Sequence, residues 1–226
     1  MIALKKLFFI VFLILVIGCA QSKDFGYGIK QMNIVDAKYN TTMDTYPKNP
    51  STIDMLIKDL KELIKLQLDK GQESLYHSVG IRILNLESEK LFIEGQKYGS
   101  SGTATDGFGC KQRPLIIESV GLRNQSASKG FEAVNTMREF IVKYPTDAES
   151  VNITEKNALF FNATFYKISS DARKDSSIIN SFCPINRTLE LYREEFKKKT
   201  NYTEDFINGL DYEQAVPIWK ELRGWN

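Results

Sequence analysis

A single histidine, His77, and three cysteines, Cys19, Cys110 and Cys183, set narrow limits on the chemistry open to this 226-residue chain. One imidazole cannot build a multi-histidine zinc site or the two-histidine helix of a zincin. A di-iron bundle needs two Glu-x-x-His pairs, and the residue three before His77 is Ser74. A serine triad would have to use His77 as its base, and no G-x-S-x-G elbow accompanies it. A cysteine nucleophile has the same single base to draw on. His77 therefore reads as a partly exposed helix residue. Close acids, Glu87 with Glu89 and Glu194 with Glu195, serve a glycosidase only if a fold sets two of them across a cleft. Taken alone they read as helix surface. No metal and no cofactor is expected.

One loop stands out by composition. From Gly99 to Arg113 the chain is rich in Gly, Ser and Thr, without the Gly-Lys-Ser/Thr ending of a phosphate loop. Phe108 lies between Gly107 and Gly109, next to Cys110, with Lys111 and Arg113 close behind. Binding residues concentrate on loops held by a rigid scaffold. Asp106, Phe108, Lys111 and Arg113 are the candidate binding residues.

The scaffold for that loop reads as helical. After Ser51 or Thr52, Ile53, Leu56, Ile57, Leu60, Leu63, Ile64 and Leu68 recur at threes and fours until Gly71. Ile81-Arg82-Ile83 and Leu91-Phe92-Ile93 invite a hairpin. Tyr76, Val79, Ile83, Leu86 and Ile93 nonetheless fit a helix near 73–97, broken in its seam by Lys90. A third helix starts at Pro114 and stops before Pro145, with Val120, Ala127, Val134 and Ile141 at sevens and Gly130, Met137 and Tyr144 joining them. A fourth follows Thr154 through Ala158, Phe161, Phe165, Ile168, Ala172 and Ile179. The last stretch carries Leu189, Tyr192 and Phe196, a break near Asn201, then Ala215, Ile218, Trp219 and Leu222, with Pro217 keeping the final element short or interrupted. The expectation is an all-α, up-and-down bundle of about five helices occupying 51–226 as a single domain. Trp219, Trp225 and Tyr212 either close its core or stand exposed as an anchor. Phe140-Ile141-Val142-Lys143-Tyr144-Pro145 is reminiscent of the end of a tetratricopeptide unit, but no second copy follows at that period.

The first residues carry a different signal. Lys5 and Lys6 precede the apolar run Leu7 to Ile17, which is shorter than the roughly 20 residues of a membrane span. The run ends Val16-Ile17-Gly18-Cys19. This resembles the lipobox of bacterial lipoproteins, with Ile17 bulkier than the Ala or Ser usual at that position. The resemblance covers about the first twenty residues. It implies removal of residues 1–18, acylation of Cys19, and residues 19–50 as lipid anchor and tether. Ala20 and Gln21 follow the cysteine where an Asp would hold such a protein in the inner membrane, so the resemblance implies an outer-membrane anchor facing the periplasm. The alternatives are a secreted protein cut after Ala20 and an uncleaved membrane anchor.

In an oxidising compartment the remaining pair, Cys110 and Cys183, is expected as a disulfide. Closing a loop of roughly 70 residues is worth about 4 kcal/mol on the chain-entropy model. The two cysteines fall in loops that an up-and-down bundle places at the same end. Removing the leader takes away Lys5 and Lys6 and leaves 28 basic against 28 acidic residues. That balance gives nucleic acid no basic stripe to follow, and Lys197-Lys198-Lys199 after Glu194-Glu195 reads as a solvated helix face. Asn-x-Ser/Thr triplets begin at Asn40, Asn124, Asn152, Asn162, Asn186 and Asn201, which keeps open a eukaryotic secreted N-glycoprotein.

The leading expectation is a lipid-anchored envelope protein that binds another protein as an immunity, inhibitor or assembly-accessory factor. That class follows from the resemblance to lipoproteins. A protein binder should display an exposed apolar or aromatic surface. The rival, an envelope hydrolase, should display a cleft with facing acids, one of them shifted upward in pKa.

Overall fold

The computed structural model describes residues 25–42, 45–68, 73–96 and 108–225. These residues form ten helices and no strand: α1 (25–38), α2 (Pro50–Leu68), α3 (Glu73–Gln96), α4 (Phe108–Lys111), α5 (Arg113–Lys143), α6 (Pro145–Ser150), α7 (Glu155–Phe182), α8 (Ile185–Lys199), α9 (Glu204–Gly209) and α10 (Tyr212–Leu222). The described residues are all-α as expected, but about five helices was too few. Short α4, α6 and α9 escape a reading based on long periodic runs. The leader, Cys19 and Asp106 lie outside the described residues.

The contacts gather into two compact units, and α3, α5 and α7 each contribute to both. One unit comprises residues up to Lys90 with Ser126–Phe165. The other comprises Leu91–Gln125 with Tyr166–Asn226.

In the first unit, α2 buries Ile53, Leu56, Ile57, Leu60 and Leu63, one apolar stripe at helical spacing. It runs antiparallel to α3: Asp54 receives Lys90 Nζ at 2.8 Å, while Lys61 reaches Glu87 at 3.4 Å. Helix α5 runs antiparallel to α3 in turn. Lys143 and Tyr144 hold Glu73 at 3.2 and 2.8 Å, and Ser88 Oγ donates to the Ser126 carbonyl at 2.9 Å. The first turns of α7 lie against α5, where a side chain at Gly130 would run into the Phe165 ring.

Residues 25–38 lie within the stretch 19–50 expected as anchor and tether, and they are helical. Phe25, Gly28, Met32 and Asp36 form their buried face. Gly28 leaves room for Leu75. Asp36 accepts from Arg82 Nη2 at 2.9 Å, and the same nitrogen lies 2.7 and 2.6 Å from the Thr42 and Thr45 carbonyls. The Tyr46 ring sits 4.9 Å from the guanidinium. One buried arginine thus fixes the chain that follows α1 onto α3.

In the second unit the disulfide joins Cys110 in α4 to Cys183 just past α7, with Cα atoms 5.0 Å apart. Arg113 Nη1 donates to the Cys183 carbonyl at 2.9 Å and Arg113 Nη2 to Asn180 Oδ1 at 2.8 Å, capping the end of α7. Helices α8 and α10 share a core of Leu115, Tyr192, Phe196, Ile207, Leu210, Ala215 and Trp219. Tyr192 stacks on Trp219 at 5.2 Å. Asp211 and Gln214 form a reciprocal capping box that starts α10. The helix continues through Pro217 to Leu222, so the proline does not interrupt it. Trp219 closes the core, Tyr212 is half-buried beside it, and Trp225 is exposed.

Candidate functional site

The loop residues singled out from sequence divide between the fold and the undescribed chain. Phe108 opens α4. Lys111 pairs with Glu195 at 3.0 Å, and its carbonyl accepts from Tyr192 Oη at 2.7 Å. Arg113 is buried in its capping role. Both charged heads are engaged by partners within the fold.

Glu195 is the surprise of α8. It was expected on a solvated face, and Lys197, Lys198 and Lys199 are indeed exposed, but Glu195 is only 4% exposed. It falls on the same seam as Thr188, Tyr192 and Phe196. Lys111, Lys199 and Arg223 surround it at 3.0, 3.0 and 2.7 Å. Burial pushes its carboxyl upward. The hydrogen bonds from Lys199 and Lys111, with the charges of Lys111 and Arg223, outweigh that and hold it below the usual carboxylate range. This cluster secures α4, α8 and the end of the chain to one another.

A surface open to solvent lies in the first unit. An open groove of about 500 Å³ runs among α2, α3 and α5. Ile64, Ile83 and Leu84 give it apolar lining, and Tyr76 and His77 add two rings. Gly80, in the middle of α3, leaves a notch: a Cβ built there meets no atom within 4 Å. The carboxylates of Glu87, Glu132 and Glu139 and the ammonium of Lys61 complete the lining.

His77 is half-buried among aromatics, stacked on Phe140 with ring centroids 6.3 Å apart and tilted against Tyr144 at 5.6 Å. Neighbouring Glu73 is held below the usual carboxylate range by hydrogen bonds from Tyr144 and Lys143. Glu87 is shared by Lys61 and Lys129, each at 3.4 Å, and Lys129 also reaches Glu132 at 3.1 Å. Glu139, exposed at the edge, makes no ion pair among the described residues. Burial pushes the Glu89 carboxyl upward, and Glu89 does not line the groove.

No motif in the sequence marks Gly80, Glu132, Thr136 or Glu139. Gly80 was the available signal, because a glycine inside a helical pattern costs helix stability relative to alanine. Among the described residues no group of three or more His, Cys, Asp or Glu is placed to hold a metal ion. No described helix is long and apolar enough to cross a membrane. No family model, curated protein or solved structure matches the chain.

Proposed function

We propose that this chain is a lipid-anchored envelope protein that acts by binding another protein. In this reading Cys19 carries the lipid, a short segment follows it, and the helical body from residue 25 onward presents the binding surface. The long helices serve as an up-and-down bundle, with the disulfide tying two of its end connections together.

The observation that supports binding over catalysis is the character of the groove. It is open, apolar on part of its lining, and bordered by acids of which two already pair with lysines. A hydrolase working through paired carboxylates needs one carboxyl kept protonated near neutral pH. Glu89, a carboxyl that burial pushes upward, does not line the groove.

The test is a photo-cross-linking residue placed at Thr136, inside the groove, in protein made by its native host. The N-terminal peptide is analysed by mass spectrometry in the same sample. A diacylglyceryl-modified Cys19 and a discrete protein adduct are the expected results. An unlipidated start near Ala20 would overturn the anchor, and added sugar mass on the triplet asparagines would move the reading to a secreted glycoprotein. A groove that retains only a small metabolite would overturn protein binding.

A further inference from the structure

We infer that the groove takes a basic amphipathic helix of the partner, seated with a small residue against Gly80 and with lysine or arginine side chains directed at Glu132 and Glu139. The inference rests on the protein-binding reading and names the partner's chemistry.

Charge complementarity carries it first. Three carboxylates against one ammonium line the groove, so an acidic or neutral segment leaves negative charge facing negative or apolar surface. Lys129, outside the lining, balances part of Glu87 and Glu132. Glu139 remains without an ion-pair partner among the described residues and supplies the attraction still to be used.

Spacing carries it second. Glu132 and Glu139 stand seven residues apart on α5, which places their Cα atoms about 10 Å apart along the helix axis. Two cations one heptad apart on a partner helix span the same distance. The apolar side chains between them, at three- and four-residue steps, face Ile64, Ile83 and Leu84. The third argument is the notch at Gly80. A helix backbone comes close to another where both present small residues, and α3 has given up a side chain at the middle of this surface.

The probe is a synthetic amphipathic peptide of Lys, Leu and Ala with lysines seven apart, compared with the same peptide carrying Glu in place of Lys. Both are titrated by fluorescence anisotropy against the full-length protein in detergent micelles. The lysine peptide should bind at least tenfold tighter than the glutamate peptide and weaken as salt is raised. Glu139→Lys should weaken it about tenfold. Gly80→Leu should abolish it while the thermal unfolding midpoint stays unchanged or rises, since the site is open space and leucine is the better helix former.

Equal binding of the two peptides, or undiminished binding to Gly80→Leu, would overturn the inference. The cross-link at Thr136 separates the two failures. An adduct with an acidic or extended protein segment leaves protein binding standing and sinks the basic helix, whereas an adduct with no protein sinks both.

Discussion

Each unit of this protein buries a charge, and the two are neutralised in opposite ways. In the first, Arg82 and Asp36 are both withdrawn from water, with side chains 2% and 0% exposed, and the guanidinium also donates to two backbone carbonyls. In the second, Glu195 is buried, but its three cations come from three different elements and keep their heads partly in solvent. Removing Asp36 takes the carboxylate from a cation that stays buried beside the Thr42 and Thr45 carbonyls. Removing any one of Lys111, Lys199 or Arg223 leaves two. The first arrangement is brittle at one position, and the second is redundant.

The largest expected effect tests that contrast directly. Arg82→Ala should destabilise the protein by roughly 3–5 kcal/mol in urea unfolding, the usual consequence of breaking one side of a buried pair. Lys199→Ala, at a half-exposed partner of Glu195, should stay below about 1 kcal/mol. Equal losses would end the comparison. Amide exchange should report the Arg82→Ala loss first in residues 25–42, the segment that the guanidinium holds.

Next in size is the covalent tie. Replacing Cys110 and Cys183 by serine should cost about 2–4 kcal/mol, since the bond spans 73 residues of sequence. Both tryptophans, Trp219 and Trp225, belong to the second unit, so their fluorescence follows the loss there.

Acid sharpens the comparison from the other side. Because the folded chain holds Glu195 below its ordinary value of 4.5, its contribution is complete above that value. It disappears as pH falls through the lower folded value. Tryptophan-detected stability should therefore decline below about pH 4.5. Glu195→Gln should flatten that decline, and an unchanged slope would assign the acid sensitivity elsewhere.

Two smaller changes probe local structure. Asp211→Ala removes the cap of α10 and should cost about 1 kcal/mol by thermal unfolding. Gly80→Ala should stabilise the protein by roughly 0.5–1 kcal/mol, the ordinary helix gain, because the new methyl meets nothing. A loss there would mean that the notch is needed for folding.

Helices α2, α5 and α7 were legible in sequence because their buried positions are apolar and periodic. Val120, Ala127, Val134 and Met137 on α5 are all buried as the spacing requires. Helix α1 was hidden for a physical reason. Its buried face has perfect helical spacing at positions 25, 28, 32 and 36, but two of those four residues are Gly28 and Asp36. One makes room for Leu75 and the other meets Arg82, forty-six residues away. An apolar count cannot register a glycine chosen for its neighbour or a carboxylate matched to a distant cation. Arg82 was concealed likewise, between Ile81 and Ile83 in a helix buried on several sides. The groove was invisible because Lys61, His77, Gly80 and Glu139 sit on three helices, and each alone looks like ordinary surface.

The pairing of Cys110 with Cys183 also has a timetable. In a chain delivered to the oxidising compartment as it is made, at about 5–20 residues per second, Cys110 arrives roughly 4–15 s before its partner, which follows 73 residues later. During that interval the one other thiol of the chain is Cys19, already synthesised. On the proposed anchoring, acylation of Cys19 takes that competitor out of reach. The lipid would then act as a protecting group as well as an anchor, leaving the nascent chain a single intramolecular disulfide to form.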